Sequence, residues 1–173
     1  MNLTDILESA GGSESINRLA GTLGLDRAQA SKLIGALSPA LLKGVQQQTQ
    51  SSEGRAGLER AITSGKHQRY LDEPDRVADE ETRQDGNNIL GHLFGSKDVS
   101  RKVASRAAEA TGIDASLIKK ALPIVAGLAL GAMSKKAKSD GGSGGLGALA
   151  GLLGSAGADS GVADLLEKAR KLF

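Results

Sequence analysis

The sequence predicts an all-α protein: a compact bundle of short helices with two helix-turn-helix-like repeats and a glycine-rich C-terminal tail. Three observations carry this. Aromatics are only 2% of the 173 residues (Tyr70, Phe94 and Phe173) and Trp is absent, so the apolar mass is mostly Ala, Leu and Gly. Small residues let helices approach closely, and runs of β-branched or aromatic residues that would favour strands are few. Apolar residues recur at helical spacing, as in Ile16, Leu19, Ala20 and Leu23. Finally, "RLAGTLGLDRAQASKLI" (18–34) aligns without a gap on "RAAEATGIDASLIKKAL" (106–122).

Each repeat unit has a readable physical logic. In the first, Ile16–Leu23 offers one apolar face, and Gly24 supplies the left-handed residue that ends a helix. Leu25 returns to the core. Asp26 stands where an N-cap is wanted, and Ala30, Leu33, Ile34 and Leu37 form the next apolar face. Gly112, Ile113 and Asp114 repeat the pattern. Pro39 after Ser38, and Pro123 one turn earlier in the second unit, predict fresh helix starts.

The other elements follow in order. Short helices are predicted at Leu3–Ser9 and at Glu53–Thr63, the latter closed by Gly65, with Gln46–Gly54 a fraying helix end and loop. A loop at Pro74 leads into a polar helix that gains Ile89, Leu90, Leu93 and Phe94 on one face. In the next helix Val99, Val103 and Ala110 are expected to face the core, with Arg101, Lys102 and Arg106 turned away. The uncharged run Ala121–Met133 is read as a buried central helix. Thirteen residues rise about 20 Å, short of a membrane's roughly 30 Å core. Gly127 and Gly131, four apart, offer a face for close packing. Residues 1–138 are thus expected to form one helical domain, with repeat units at about 13–50 and 97–137. Residues 139–146 read by composition as a flexible linker and 147–173 as a helical tail.

The sequence offers little for catalysis. With no cysteine, disulfides, zinc–thiolate sites and thiol nucleophiles are excluded. Neither His67 nor His92 has a ligand-spaced partner; His67 reads as surface and His92 as a packed or rim residue. Gly142, Gly144 and Gly147 spell G-x-G-x-x-G, but no strand precedes them. No enzyme activity, metal or cofactor is expected. The start lacks a basic and apolar leader, so a cytoplasmic address is expected, without a membrane role.

Charge is uneven. Asp72–Asp85 holds seven acids against two arginines, and Lys97–Lys138 nine bases against three acids. A helix-turn-helix reader would present Arg27, Gln29, Ser31 and Lys32 from its second helix. Nucleic acid or another polyanion would be met by Arg27, Lys32, Arg101, Lys102, Arg106, Lys119 and Lys120. The first expectation is different: a non-enzymatic interaction or self-assembly module, with a protein partner or a second copy met through Leu146, Leu149, Leu152, Leu153, Val162, Leu165 and Leu166.

The stretch from Gly86 to Asp114, with "ALPIVAGLALGAM", resembles a bacterial family of unknown function, number 937, and is similar to its YidB-like group of small helical proteins. The likeness rests on Ile89–Gly95, on Thr111–Ile113 and on the L-P-x-x-A of Leu122–Ala126. It implies an all-helical, homeodomain-like fold and no activity, since the family has no assigned catalytic or binding residues.

Overall fold

The computed structural model describes residues 3–64 and 66–139. Among them are eight α-helices and no strand: α1 (Leu3–Ser9), α2 (Ser13–Leu23), α3 (Arg27–Thr49), α4 (Ser52–Thr63), α5 (Arg69–Asp72), α6 (Glu80–Phe94), α7 (Lys97–Thr111) and α8 (Ala115–Ser139). Two 3₁₀ turns, Lys66–Gln68 and Pro74–Ala78, flank α5.

Both repeat units fold as helix, left-handed glycine, helix. Gly24 closes α2 at φ 68° and Gly112 closes α7 at φ 73°. The details differ. After α2 the Leu25 N–H reaches back to the Ala20 carbonyl at 2.9 Å, and after α7 the Gly112 N–H bonds the Ala108 carbonyl at 2.8 Å. Asp26 makes a complete capping box with Gln29. Asp114 accepts from the Ser116 N–H at 2.7 Å, and hydrogen bonding from Ser116 holds its carboxyl below the usual aspartate value. The apolar faces of α2 and α3 are buried as the spacing predicts.

The prolines do not start helices. Pro39 lies inside the 23-residue α3 and Pro123 inside the 25-residue α8. A proline loses its own N–H and crowds the carbonyl four residues back, yet its φ remains helical. At Pro39 the apolar stripe Leu33, Leu37, Leu41, Val45 continues unbroken through the proline, so core packing outweighs the lost bond. Ser38 caps nothing; its Oγ donates to the Ile34 carbonyl at 2.8 Å. The glutamines at 46–48 are helical as well, with Gln48 anchored by donating its side-chain amide to the His92 carbonyl.

Helix α8 is the spine. Every residue from Ala121 to Ser134 is buried, as expected of a helix that is apolar all round. At 25 residues it rises about 37 Å, so the argument from shortness fails: its length and composition would suffice to cross a bilayer. The fold covers it instead, burying 78% of its most apolar eighteen-residue window. Its glycines and proline set the approach of its neighbours. A Cβ on Gly86 of α6 would lie 1.9 Å from the Pro123 carbonyl oxygen, and one on Gly131 would lie 2.4 Å from the His67 carbonyl oxygen. At Gly127 the neighbour is the Tyr70 ring. The close partner expected at Gly127 and Gly131 is therefore the 66–72 segment.

Helix α7 buries a different face from the one expected. Ala104 and Ala107 are buried, Val103 is half-buried, and Ala110 and Val99 are exposed, Val99 at 39%. Alanines allow α7 to lie close against both α3 and α8, so small size rather than hydrophobicity selects its inner face. Arg101, Lys102 and Arg106 are exposed as expected. Ser139, placed in the linker by composition, instead ends α8, its Oγ donating to the Lys136 carbonyl at 2.9 Å; the rest of the linker, the tail and Gly65 lie outside the described residues.

Candidate functional site

A groove of about 530 Å³ runs between α4 and α6 over α8. Its floor is Leu58, Ile89, Leu93 and Leu130. The same four residues line a further recess of about 40 Å³ that reaches Leu41, Val45 and Met133 in the core. Gln48, Glu53, Arg60, Asn88 and His92 form a polar border. An apolar floor with a few polar groups around it is the general form of a binding cleft.

His67 and Asp85 also line the groove. His67 is not a surface residue: it is 7% exposed, drawn inward because its carbonyl meets Gly131 on the spine. Its Nδ1 lies 2.8 Å from Asp85 Oδ2. The Tyr70 hydroxyl donates to the same oxygen at 2.6 Å. Arg69 donates to the Tyr70 oxygen at 3.1 Å and to Glu81 at 3.0 Å. Burial lowers the His67 pKa below the ordinary 6.5, and Asp85 opposes that shift without reversing it. Burial and then the Asp85 contact push the Tyr70 hydroxyl up.

An Asp–His pair can orient a general base, but a base needs a group to activate. The hydroxyl of Ser51, which lines the groove, accepts from the Gly54 N–H as an N-cap. Ser134 donates to the Ile62 carbonyl and accepts from Gln68. Among the described residues no group of three or more His, Asp or Glu is placed to hold a metal. His92 is exposed on the groove border, a rim rather than a packed position. The pairing of His67 with Asp85 had no signal in the sequence, because it depends on a 3₁₀ turn meeting a glycine 64 residues later.

The expected polyanion residues are only partly brought together. Arg101 and Lys119 line a second concavity, of about 490 Å³, together with Lys97. Lys102, Arg106 and Lys120 are exposed but do not line it. On α3 the reading surface is partly engaged within the fold. Arg27 bonds Glu8 at 3.1 Å and Asn17 at 2.9 Å, and Gln29 is used in the capping box, while Lys32 is exposed. The leucines and valine expected to mediate association, Leu146 to Leu166, lie outside the described residues.

A family model described as a bacterial protein of unknown function (DUF937) matches residues 5–136, a span that includes the lining of both concavities. No curated protein matches the chain, and no solved structure does. The likeness to a YidB-like group therefore rests on the residues alone.

Proposed function

We propose that this chain, which belongs to the DUF937 family of bacterial proteins of unknown function, is a non-enzymatic self-assembly module whose α4–α6 groove receives the leucine-rich segment 146–173 of a second copy. The observation that carries this is the apolar floor of Leu58, Ile89, Leu93 and Leu130, open on one side and continuous with the core. Leu58 and Ile89 of this floor are half-buried and Leu93 and Leu130 are buried, so the floor is apolar but recessed. The occupant follows from chain path and composition. Helix α8 ends beside the His67 end of the groove: Ser134 bonds Ile62 of α4, and the Lys138 ammonium donates to Gln68 at 3.2 Å. The seven residues from 140 to 146, Gly/Ser-rich by composition, would reach about 15 Å. Beyond them the sequence supplies Leu149, Leu152, Leu153, Val162, Leu165 and Leu166. Exchange of such a segment between copies makes the same contacts and joins the chains.

Light scattering of the full-length protein tests this. A multi-chain mass is expected, falling to one chain in Ile89→Asp, at the half-buried groove floor, and in Leu165→Asp/Leu166→Asp. A mass of one chain throughout would remove self-assembly.

A second reading, binding of nucleic acid or another polyanion, draws support from the concavity that gathers Lys97, Arg101 and Lys119. The homeodomain-like use of α3 has less behind it, since Arg27 and Gln29 are engaged within the fold.

A further inference from the structure

We infer that the concavity where α6, α7 and α8 meet is a site for a phosphate chain joined to an organic body, the chemistry of a nucleoside polyphosphate. The inference narrows the polyanion reading and is independent of the assembly reading. Lys97 and Arg101 come from one face of α7, four residues apart, and Lys119 comes from α8 across the gap. No acidic residue lines the concavity. Three cations thus face one space, where their potentials add and attract a multiply charged anion. Arg101 is engaged by Asp98 at 3.3 Å, but both side chains are well exposed, at 67% and 80%. Such a surface pair contributes little and yields readily to a stronger anion. Ser100 and Asn87 add neutral hydrogen-bonding groups.

The floor distinguishes this site from a patch of surface charge. Leu90, Leu122 and Pro123 line the same concavity, all three buried. Inorganic phosphate has nothing to place there, whereas a flat organic body fills the recess and gains van der Waals contact with these side chains. A volume of about 490 Å³ falls in the range of pockets that hold small organic ligands. The phosphate chain is assigned to Lys97, Arg101 and Lys119, and the body to the leucines and proline.

Calorimetric titration of the full-length protein with ADP, and separately with inorganic pyrophosphate, tests the assignment. At about 50 mM salt ADP is expected to bind with a Kd tighter than about 1 mM, and more tightly than pyrophosphate. Raising the salt to about 200 mM should weaken both. Lys97→Ala/Arg101→Ala/Lys119→Ala should weaken ADP at least about tenfold. Lys102→Ala/Arg106→Ala/Lys120→Ala, off the concavity, should change it by less than about threefold. Equal losses in the two triple variants, pyrophosphate as tight as ADP, or no ADP binding at low salt would each overturn the inference. A duplex of about twelve base pairs separates the sources. Displacement of ADP by the duplex would make nucleic-acid phosphate a source of the same chemistry at this site. Duplex binding that depends on Lys102, Arg106 and Lys120, with no ADP binding, would sink this site and leave the polyanion reading standing.

Discussion

Replacing Gly86 by Ala tests the packing of the spine at its tightest point. A Cβ at Gly86 would lie 1.9 Å from the Pro123 carbonyl oxygen, 2.4 Å from its carbon and 2.7 Å from its Cα. An ordinary carbon–oxygen contact is about 3.3 Å or more, so α6 would have to move off α8 by roughly 1.4 Å. Backbone atoms cannot rotate away as a side chain can. A gap of that size forfeits more than about half of the dispersion energy at each contact it opens. Overpacking of a core costs about 1–3 kcal/mol, and the top of that range applies here. The better helix propensity of Ala returns about 1 kcal/mol, leaving a net loss of about 2 kcal/mol. Gly91, in the same helix, provides the control: an added Cβ there meets nothing within 4 Å, so Gly91→Ala should gain about 1 kcal/mol. Urea denaturation followed by far-ultraviolet circular dichroism measures both. A lower midpoint for Gly86→Ala and a higher one for Gly91→Ala, at unchanged slope, are expected. Equal stabilities would refute the close crossing of α6 and α8.

Two more outcomes follow from the structure. On α7, Ala104→Leu should cost about 1–3 kcal/mol by overpacking a fully buried site, while Val99→Ala should stay within about 0.5 kcal/mol because Val99 is exposed; urea midpoints check both, and the opposite ranking would restore Val99 to the core. His67 has a lowered pKa in the folded chain, so the unfolded state binds its proton first as pH falls. Stability should be complete above pH 6.5 and decline as pH drops from there toward the folded-state pKa. The denaturation midpoint of His67→Gln should change less than that of the parent between about pH 7 and about pH 5.5, and an identical change in both would place the titration elsewhere.

The helical class, the αL glycines, the Asp26 cap and the buried spine were legible because each rests on local chemistry. Helix α1 was predicted with its observed limits. The prolines misled because a start signal and a tolerated interior proline look alike until the apolar stripe is followed past them, from Leu37 to Leu41. On α7 the spacing favoured the face of Val99, Val103 and Ala110, whereas close helix approach selects Ala104 and Ala107. The groove itself was not readable. Leu58, Ile89 and Leu130 come from three helices, and nothing local marks residues that meet only in the tertiary fold. His67 entered the core through its backbone contact with Gly131, a match of a carbonyl with a missing side chain that no periodicity records.

The absence of cysteine makes the occupant of the groove directly measurable. A full-length protein carrying Ala61→Cys, at the half-buried groove wall, and Leu165→Cys has only those two thiols. Under mild oxidation a disulfide between groove and segment is expected, linking two chains, as read on a non-reducing gel and by mass spectrometry of the cross-linked peptides. A pair with Arg106→Cys on the outer face of α7 in place of Ala61→Cys should give far less product. Cross-linking within one chain would seat the segment in its own groove and remove assembly. Failure of the Ala61 pair to exceed the Arg106 pair would contradict the seating of the leucine-rich segment in the groove.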